Sequence, residues 1–164
     1  MTPGAEAICA AIPEWRLHAS GQLVVAVDGY GGSGKTTIAG QAALALGARV
    51  VATDSALRHP PVATGDPRPL APYYDWAQLR LVALEPTIAS QVPLVIVEGV
   101  SAAAPALADL VTHTVYVDTP EQVRLARLRA RISPEEWDEA WLEAEREYFA
   151  ARPLAAFDLV VAGY

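Results

Sequence analysis

The chain has 164 residues, 52% of them hydrophobic and 19% charged, with a formal net charge of −7. That length suits one domain with a full core, and the hydrophobic share excludes a chain kept disordered by its charge. The acidic balance excludes broad binding to a nucleic-acid backbone, which needs a surplus of cations.

Taken in chain order, residues 1–20 read as an N-terminal extension of a single domain spanning 1–164. The extension lacks a cationic start followed by a long apolar core, and no run of about 20 apolar residues occurs that could cross a bilayer. A cytoplasmic, soluble chain, monomer or homodimer, without membrane or nucleic-acid partners, is therefore expected. The single cysteine, Cys9, cannot form an internal disulfide, and no Cys/His spacing suits zinc.

Leu23 to Asp28 is a short apolar run that predicts a strand, followed by the glycine-rich segment Gly29-Tyr30-Gly31-Gly32-Ser33-Gly34-Lys35-Thr36 and a helix pattern from Lys35 to Leu46. Further strands are predicted at Arg49 to Thr53, Leu94 to Glu98, Thr114 to Asp118 and Asp158 to Val161. These runs are continuously apolar, as expected of parallel strands covered on both faces. Helices are predicted at Asp75 to Gln91, Pro120 to Ile132 and Pro134 to Ala151, with Thr119 and Ser133 as N-caps ahead of first-turn prolines. Alternating strands and helices imply an α/β fold in three layers, with right-handed crossovers. The proline-rich stretch His59 to Pro72 lacks periodicity and reads as a loop, either a plain surface connection or a flap over a substrate.

The glycine-rich segment matches G-x-x-x-x-G-K-[ST] at every fixed position, between a predicted strand and a predicted helix. Glycines let successive backbone amides turn around a phosphate, and the helix N-terminus adds positive potential. Gly29, Gly31, Gly32, Ser33, Gly34, Lys35, Thr36 and Thr37 are thus the candidate ATP-binding residues. Lys35 would bridge β- and γ-phosphate oxygens, and the Thr36 hydroxyl would ligate Mg2+. Lys35 is also the only lysine among twelve formal cations, so a composition that otherwise favours arginine keeps lysine at this position.

Parallel strands bring Asp28, Asp54, Glu98 and Asp118 to one edge of the sheet. Glu98, ending Leu-Val-Ile-Val-Glu-Gly, is the candidate for a metal-bound water, and Asp54 for the acid that faces a phosphate acceptor. Asp28, beside the phosphate loop, is expected to hold loop amides. Arg124, Arg127 and Arg131 fall on one helix face and are candidates for stabilising a transferring phosphoryl group, while Leu125, Leu128 and Ile132 are expected to pack down. Trp137, Trp141 and Tyr148 have core spacing. Tyr73, Tyr74 and Trp76 either line an acceptor pocket or staple the following helix.

The ordered set Val-Ala-Val-Asp-Gly-Tyr-Gly-Gly-Ser-Gly-Lys-Thr-Thr, Thr-Asp-Ser-x-x-Arg, Tyr-Asp-Trp, Val-Ile-Val-Glu-Gly-Val and Arg-x-x-Arg resembles the uridine kinase-like branch of P-loop kinases. The resemblance runs from Leu23 to Gly163 and implies a three-layer P-loop NTPase fold with a five-stranded parallel sheet of order 2-3-1-4-5. It also implies a lid region within 120–151, with Asp54 as the acid that activates the acceptor hydroxyl, Arg124, Arg127 and Arg131 as lid residues, and Val161-Ala162-Gly163 near the adenine. Ala56 and Leu57 stand where uridine kinases carry aromatic residues. The expectation is an ATP- and Mg2+-dependent kinase acting on a small-molecule hydroxyl, with a nucleoside or a sugar as acceptor. A nucleoside monophosphate kinase and a non-catalytic ATP-binding regulator are the alternatives.

Overall fold

The computed structural model describes residues 1–19, 21–133 and 136–163. Five parallel strands form one sheet: β1 (Leu23–Asp28), β2 (Arg49–Ala52), β3 (Leu94–Glu98), β4 (His113–Asp118) and β5 (Leu159–Ala162), in the order β2-β3-β1-β4-β5. β1 and β3 are buried at every position, which accounts for their apolar sequence up to the closing acids Asp28 and Glu98. Their side chains alternate between two cores. Leu23, Val25, Val27, Leu94 and Ile96 enter one, while Val24, Ala26, Val95 and Val97 enter the other. The sheet is therefore the middle of three layers, as the sequence predicts.

Residues 3–18 are more than an extension. α1 (Pro3–His18) starts at a proline in the first turn and is capped by the Thr2 side chain, which accepts from Ala5 N. It buries Ala5, Ile8 and Ile12 in the same core as Ile38, Ala39 and Ala42 of α2 (Lys35–Leu46). Gly4 is required by this packing, since a Cβ there would lie 2.8 Å from Ala162 O and from Ile38 Cδ1.

The other face is covered by aromatic packing. The predicted helix Asp75 to Gln91 forms as α3 (Trp76–Gln78), a π-helical segment (Leu79–Leu84) and α4 (Glu85–Ala89), with Asp75 capping Gln78 N at 2.9 Å. α5 (Glu121–Arg131) begins one residue later than expected. Thr119 does not cap it, because its hydroxyl instead donates to Ser33 O at 2.9 Å, and Pro120 stands at the cap position. α6 (Glu139–Ala150) also starts later than expected, where Asp138 accepts from Ala140 N and Trp141 N. Pro134, the expected first residue of that helix, lies outside the described residues. Among the described residues, no helix is long and apolar enough to cross a membrane.

Candidate active site

β1 ends at Asp28 and runs directly into the glycine-rich loop, which hands over to α2 at Lys35. The loop needs its glycines for different reasons. Gly34 holds φ 98°, a left-handed conformation, at the helix entry. Gly32 has φ 77°, and a Cβ there would fall 2.4 Å from Arg124 O, so α5 presses its backbone directly against the loop.

Lys35 is 7% exposed and its ammonium donates to Tyr30 O at 2.7 Å and Ser33 Oγ at 3.4 Å. Burial lowers its pKa, opposed by the negative charges of Asp28, Glu145, Glu98 and Asp54. The Thr36 hydroxyl donates to Glu98 Oε2 at 3.1 Å. Glu98 is 5% exposed, and burial raises its pKa against the pull of Thr36 and Lys35. The first turn of α2 and the end of β3 thus bring together the hydroxyl and the carboxylate that the sequence nominates for one Mg2+. This donor set fits the ion, which takes hard oxygen ligands and keeps several waters. Among the described residues no group of three or more His, Cys, Asp or Glu could hold a metal, so an ion here would complete its shell with waters or with oxygens of a bound ligand.

A cavity of about 660 Å3 opens over this loop. Gly31, Gly32, Gly34, Lys35, Thr36 and Thr37 line it together with Asp54, Glu98, Arg127 and Arg131. Asp54 reaches it from the turn Thr53–Ala56 that follows β2. Gly29 and Ser33 are candidates that do not line it. Ser33 is buried beneath the loop, and Gly29 N donates to Asp28 Oδ1 at 2.7 Å.

The three arginines part company. Arg127 donates to Gly163 O at 2.9 Å and Gly32 O at 3.3 Å, at the cavity wall. Arg131 is exposed on the same wall. Arg124 does not line the cavity; it is 5% exposed, its guanidinium lies 4.3 Å from the Tyr30 ring centroid, and it pairs with Glu121 at 3.0 Å. The expectation that α5 packs down on Leu125, Leu128 and Ile132 is met in part, with Leu128 beside Gly31 and Gly32. All three apolar residues are half-buried, and Arg124 is the buried residue of the helix, because close approach to the loop leaves room for a flat guanidinium stacked on Tyr30.

Asp28 is fully buried and accepts from Gly29 N, Ser101 N, Ala103 N and Tyr148 Oη, at 2.7, 2.8, 3.1 and 2.8 Å. It therefore holds loop amides, as expected from its place in sequence. Burial raises its pKa despite these donors. Glu145, which the sequence reading passed over, is also fully buried and accepts from Gly31 N at 2.9 Å. A signal existed: Glu145 is an acid midway between Trp141 and Phe149, within the four-residue spacing that marks the inner face of α6.

Tyr73 and Tyr74 are 7% and 1% exposed, and both pack on Trp141, while Tyr74 stacks on Trp76 at 4.5 Å. They staple the helix and leave the P-loop cavity to other residues. The flap reading of His59 to Pro72 is also corrected. Arg68 to Ala71 face a different cavity, because Leu70 and Ala71 are drawn into the core beside Trp76.

The five-stranded parallel sheet of order β2-β3-β1-β4-β5, with the glycine-rich loop after β1, is a fold that this chain shares with solved structures of kinases. The chain superposes on a possible uridine kinase from Bacillus stearothermophilus with a TM-score of 0.66 and 20% identity, covering 96% of each chain. It is similarly related to a candidate fructose transport system kinase from a Silicibacter species, with a TM-score of 0.59 and 21% identity over 98% of this chain and 99% of that one. A shikimate kinase from Bacteroides thetaiotaomicron shares the fold at a TM-score of 0.51 and 16% identity, covering 86% of each chain. No family model matches the sequence, and no curated protein matches it.

Proposed function

We propose that the protein is an ATP- and Mg2+-dependent phosphotransferase that moves the γ-phosphate to a hydroxyl of a small molecule. The supporting observation is the convergence of Lys35, Thr36, Glu98, Asp54, Arg127 and Arg131 on one cavity at the carboxyl edge of the sheet. Loop amides and Lys35 hold the β- and γ-phosphates. Thr36 and Glu98 hold Mg2+, which when bound neutralises charge on the phosphate oxygens. Asp54 orients the acceptor hydroxyl and takes its proton as the oxygen bonds to phosphorus and the bond to the ADP oxygen breaks. Arg127 and Arg131 stabilise the charge on the transferring group. Arg124 acts through its packing on Tyr30.

A phosphorylated acceptor, as in a nucleoside monophosphate kinase, would need free cations on the acceptor side. Arg58 is paired with Asp75 at 2.8 Å and Arg68 is paired with Asp66, so the hydroxyl acceptor is favoured. The testing experiment incubates the full chain with ATP-Mg2+ and a panel of sugars, nucleosides and small alcohols, with nucleotide binding measured alongside by calorimetry. Product formation that Lys35→Ala abolishes is expected. Tight nucleotide binding with no product from any acceptor would leave a nucleotide-binding regulator in place of the kinase.

A further inference from the structure

A second cavity, of about 350 Å3, shares no lining residue with the one over the P-loop. Its size is at the lower end for sites that enclose a small organic molecule. Leu70, Ala71, Trp76, Ala104, Pro105 and Tyr148 give it apolar and aromatic walls. One face of Trp76 is taken by the stacked Tyr74 ring, so the indole is held rigidly at the wall. Such a wall suits a flat apolar body.

The charged residues at this cavity run against the protein's overall balance. Arg68 and Arg152 line it and no acid does, in a chain whose 19 Asp and Glu outnumber its 12 Lys and Arg. Asp66 neutralises Arg68 through a two-oxygen contact. Arg152 makes no ion pair among the described residues. Its guanidinium is fixed 4.4 Å from the Phe157 ring centroid and by donation from Nη1 to Ala103 O, which leaves Nη2 without a protein acceptor among the described residues. A fixed guanidinium with an unused donor favours a carboxylate ligand.

Two residues of this wall also grip the acid that anchors the P-loop. Tyr148 donates its hydroxyl to Asp28 Oδ2 at 2.8 Å, and Ser101 donates its amide to Asp28 Oδ1 at 2.8 Å. Ser101 does so from φ 59°, a left-handed conformation that a non-glycine residue rarely adopts. The same Oδ1 accepts from Gly29, the first residue of the phosphate loop, at 2.7 Å.

We propose that this cavity is a second ligand site for a small, planar, apolar molecule bearing one carboxylate, and that its occupancy is coupled through Tyr148 and Asp28 to nucleotide binding at the P-loop. The coupling rests on the nucleotide-binding reading given above; the cavity as a site does not.

Indole-3-acetate serves as the probe and indole as its uncharged counterpart, both titrated calorimetrically into the full chain. Indole-3-acetate is expected to bind about tenfold more tightly. Ala104→Phe fills the cavity and should abolish binding of both. Arg152→Met keeps an apolar stem and should remove the preference for the carboxylate while indole still binds; where Ala104→Phe fails to fold, this variant decides. Saturating indole-3-acetate is expected to shift the Kd of ADP by about fivefold. Tyr148→Phe keeps the aromatic wall but loses the hydroxyl on Asp28, so it should erase that shift while the probe still binds. Absence of probe binding, equal binding by Ala104→Phe, or an ADP Kd indifferent to the probe overturns the proposal. Failure of ADP to bind at all overturns the nucleotide reading and the coupling together, and the cavity then stands or falls on the probe alone.

Discussion

Glu145 Oε1 accepts the amide hydrogen of Gly31 at 2.9 Å, tying the last helix to the phosphate loop through a carboxylate with no solvent exposure. Its other oxygen is buried without a partner, and Arg124, whose charge Glu145 feels, likewise has a buried unpartnered nitrogen. The loop is therefore gripped from two helices, by a carboxylate from α6 and by the backbone of α5 at Gly32.

Burial raises the Glu145 pKa, outweighing the Gly31 amide, the charges of Lys35 and Arg124, and the Trp141 indole. The folded protein thus holds this proton more tightly than the unfolded chain does. The stability this contributes is complete below the ordinary glutamate pKa and is lost as pH rises through the raised value. Glu145→Gln keeps a carbonyl acceptor for Gly31 and does not ionise. Its Tm should exceed that of the wild type by roughly 2–4 °C at about pH 8, corresponding to about 1 kcal/mol, and the gap should close towards about pH 5. Thermal melts across that range check this, and a gap independent of pH would contradict it.

Each Asp28 oxygen accepts from at least one backbone N–H, so Asp28→Asn sets an amide NH2 against a backbone donor whichever way it is turned. A loss of about 2–3 kcal/mol is expected, seen as a Tm lower by roughly 5–10 °C. Urea denaturation gives the same quantity independently. An unchanged midpoint would mean that the buried carboxyl contributes nothing net to holding the loop.

Arg127 and Arg124 should separate activity from stability. Arg127→Gln is expected to lower kcat about 100-fold with little change in Tm, since it removes a guanidinium at the cavity wall. Arg124→Leu removes the stack on Tyr30 and should lower Tm by roughly 3–6 °C while sparing kcat in the folded fraction. The opposite pattern would exchange their roles.

Thr36→Val and Glu98→Gln each remove one oxygen donor proposed for Mg2+. Both should raise the Mg2+ concentration needed for half-maximal turnover about tenfold or more, and Thr36→Ser should stay close to wild type. Titrating Mg2+ at fixed ATP separates this from a loss of nucleotide affinity without metal, which should not change.

Asp54→Asn should leave the Kd of ADP unchanged and reduce turnover about 100-fold or more once an acceptor is found. Equal turnover by the variant would remove Asp54 from the transfer step while leaving the nucleotide site intact.

The phosphate loop was legible in the sequence because its requirements are local: glycines for backbone conformation, then Lys35 and Thr36 at fixed spacing before a helix. The sheet was legible for a related reason. Strands covered on both faces must be apolar along their length, and β1 and β3 are up to the acid at the end of each, Asp28 and Glu98. α1 was missed because its apolar residues, many of them alanines, mark no clear face and Pro13 lies within it; only packing on Ile38 and β5 shows what it covers. Spacing placed Arg124, Arg127 and Arg131 on one face, but it could not say that the loop backbone presses on one end of that face, where it buries Arg124 and leaves Arg127 and Arg131 at the cavity. Glu145 and Tyr148 depend on contacts across more than a hundred residues of chain, from α6 to Gly31 and Asp28. The sequence by itself determined the glycine-rich loop with Lys35 and Thr36, the group proposed to hold phosphate, because it resides in consecutive residues. Only the tertiary structure decided which distant charges are buried against that loop, because desolvation and hydrogen-bond partnership belong to the packed arrangement.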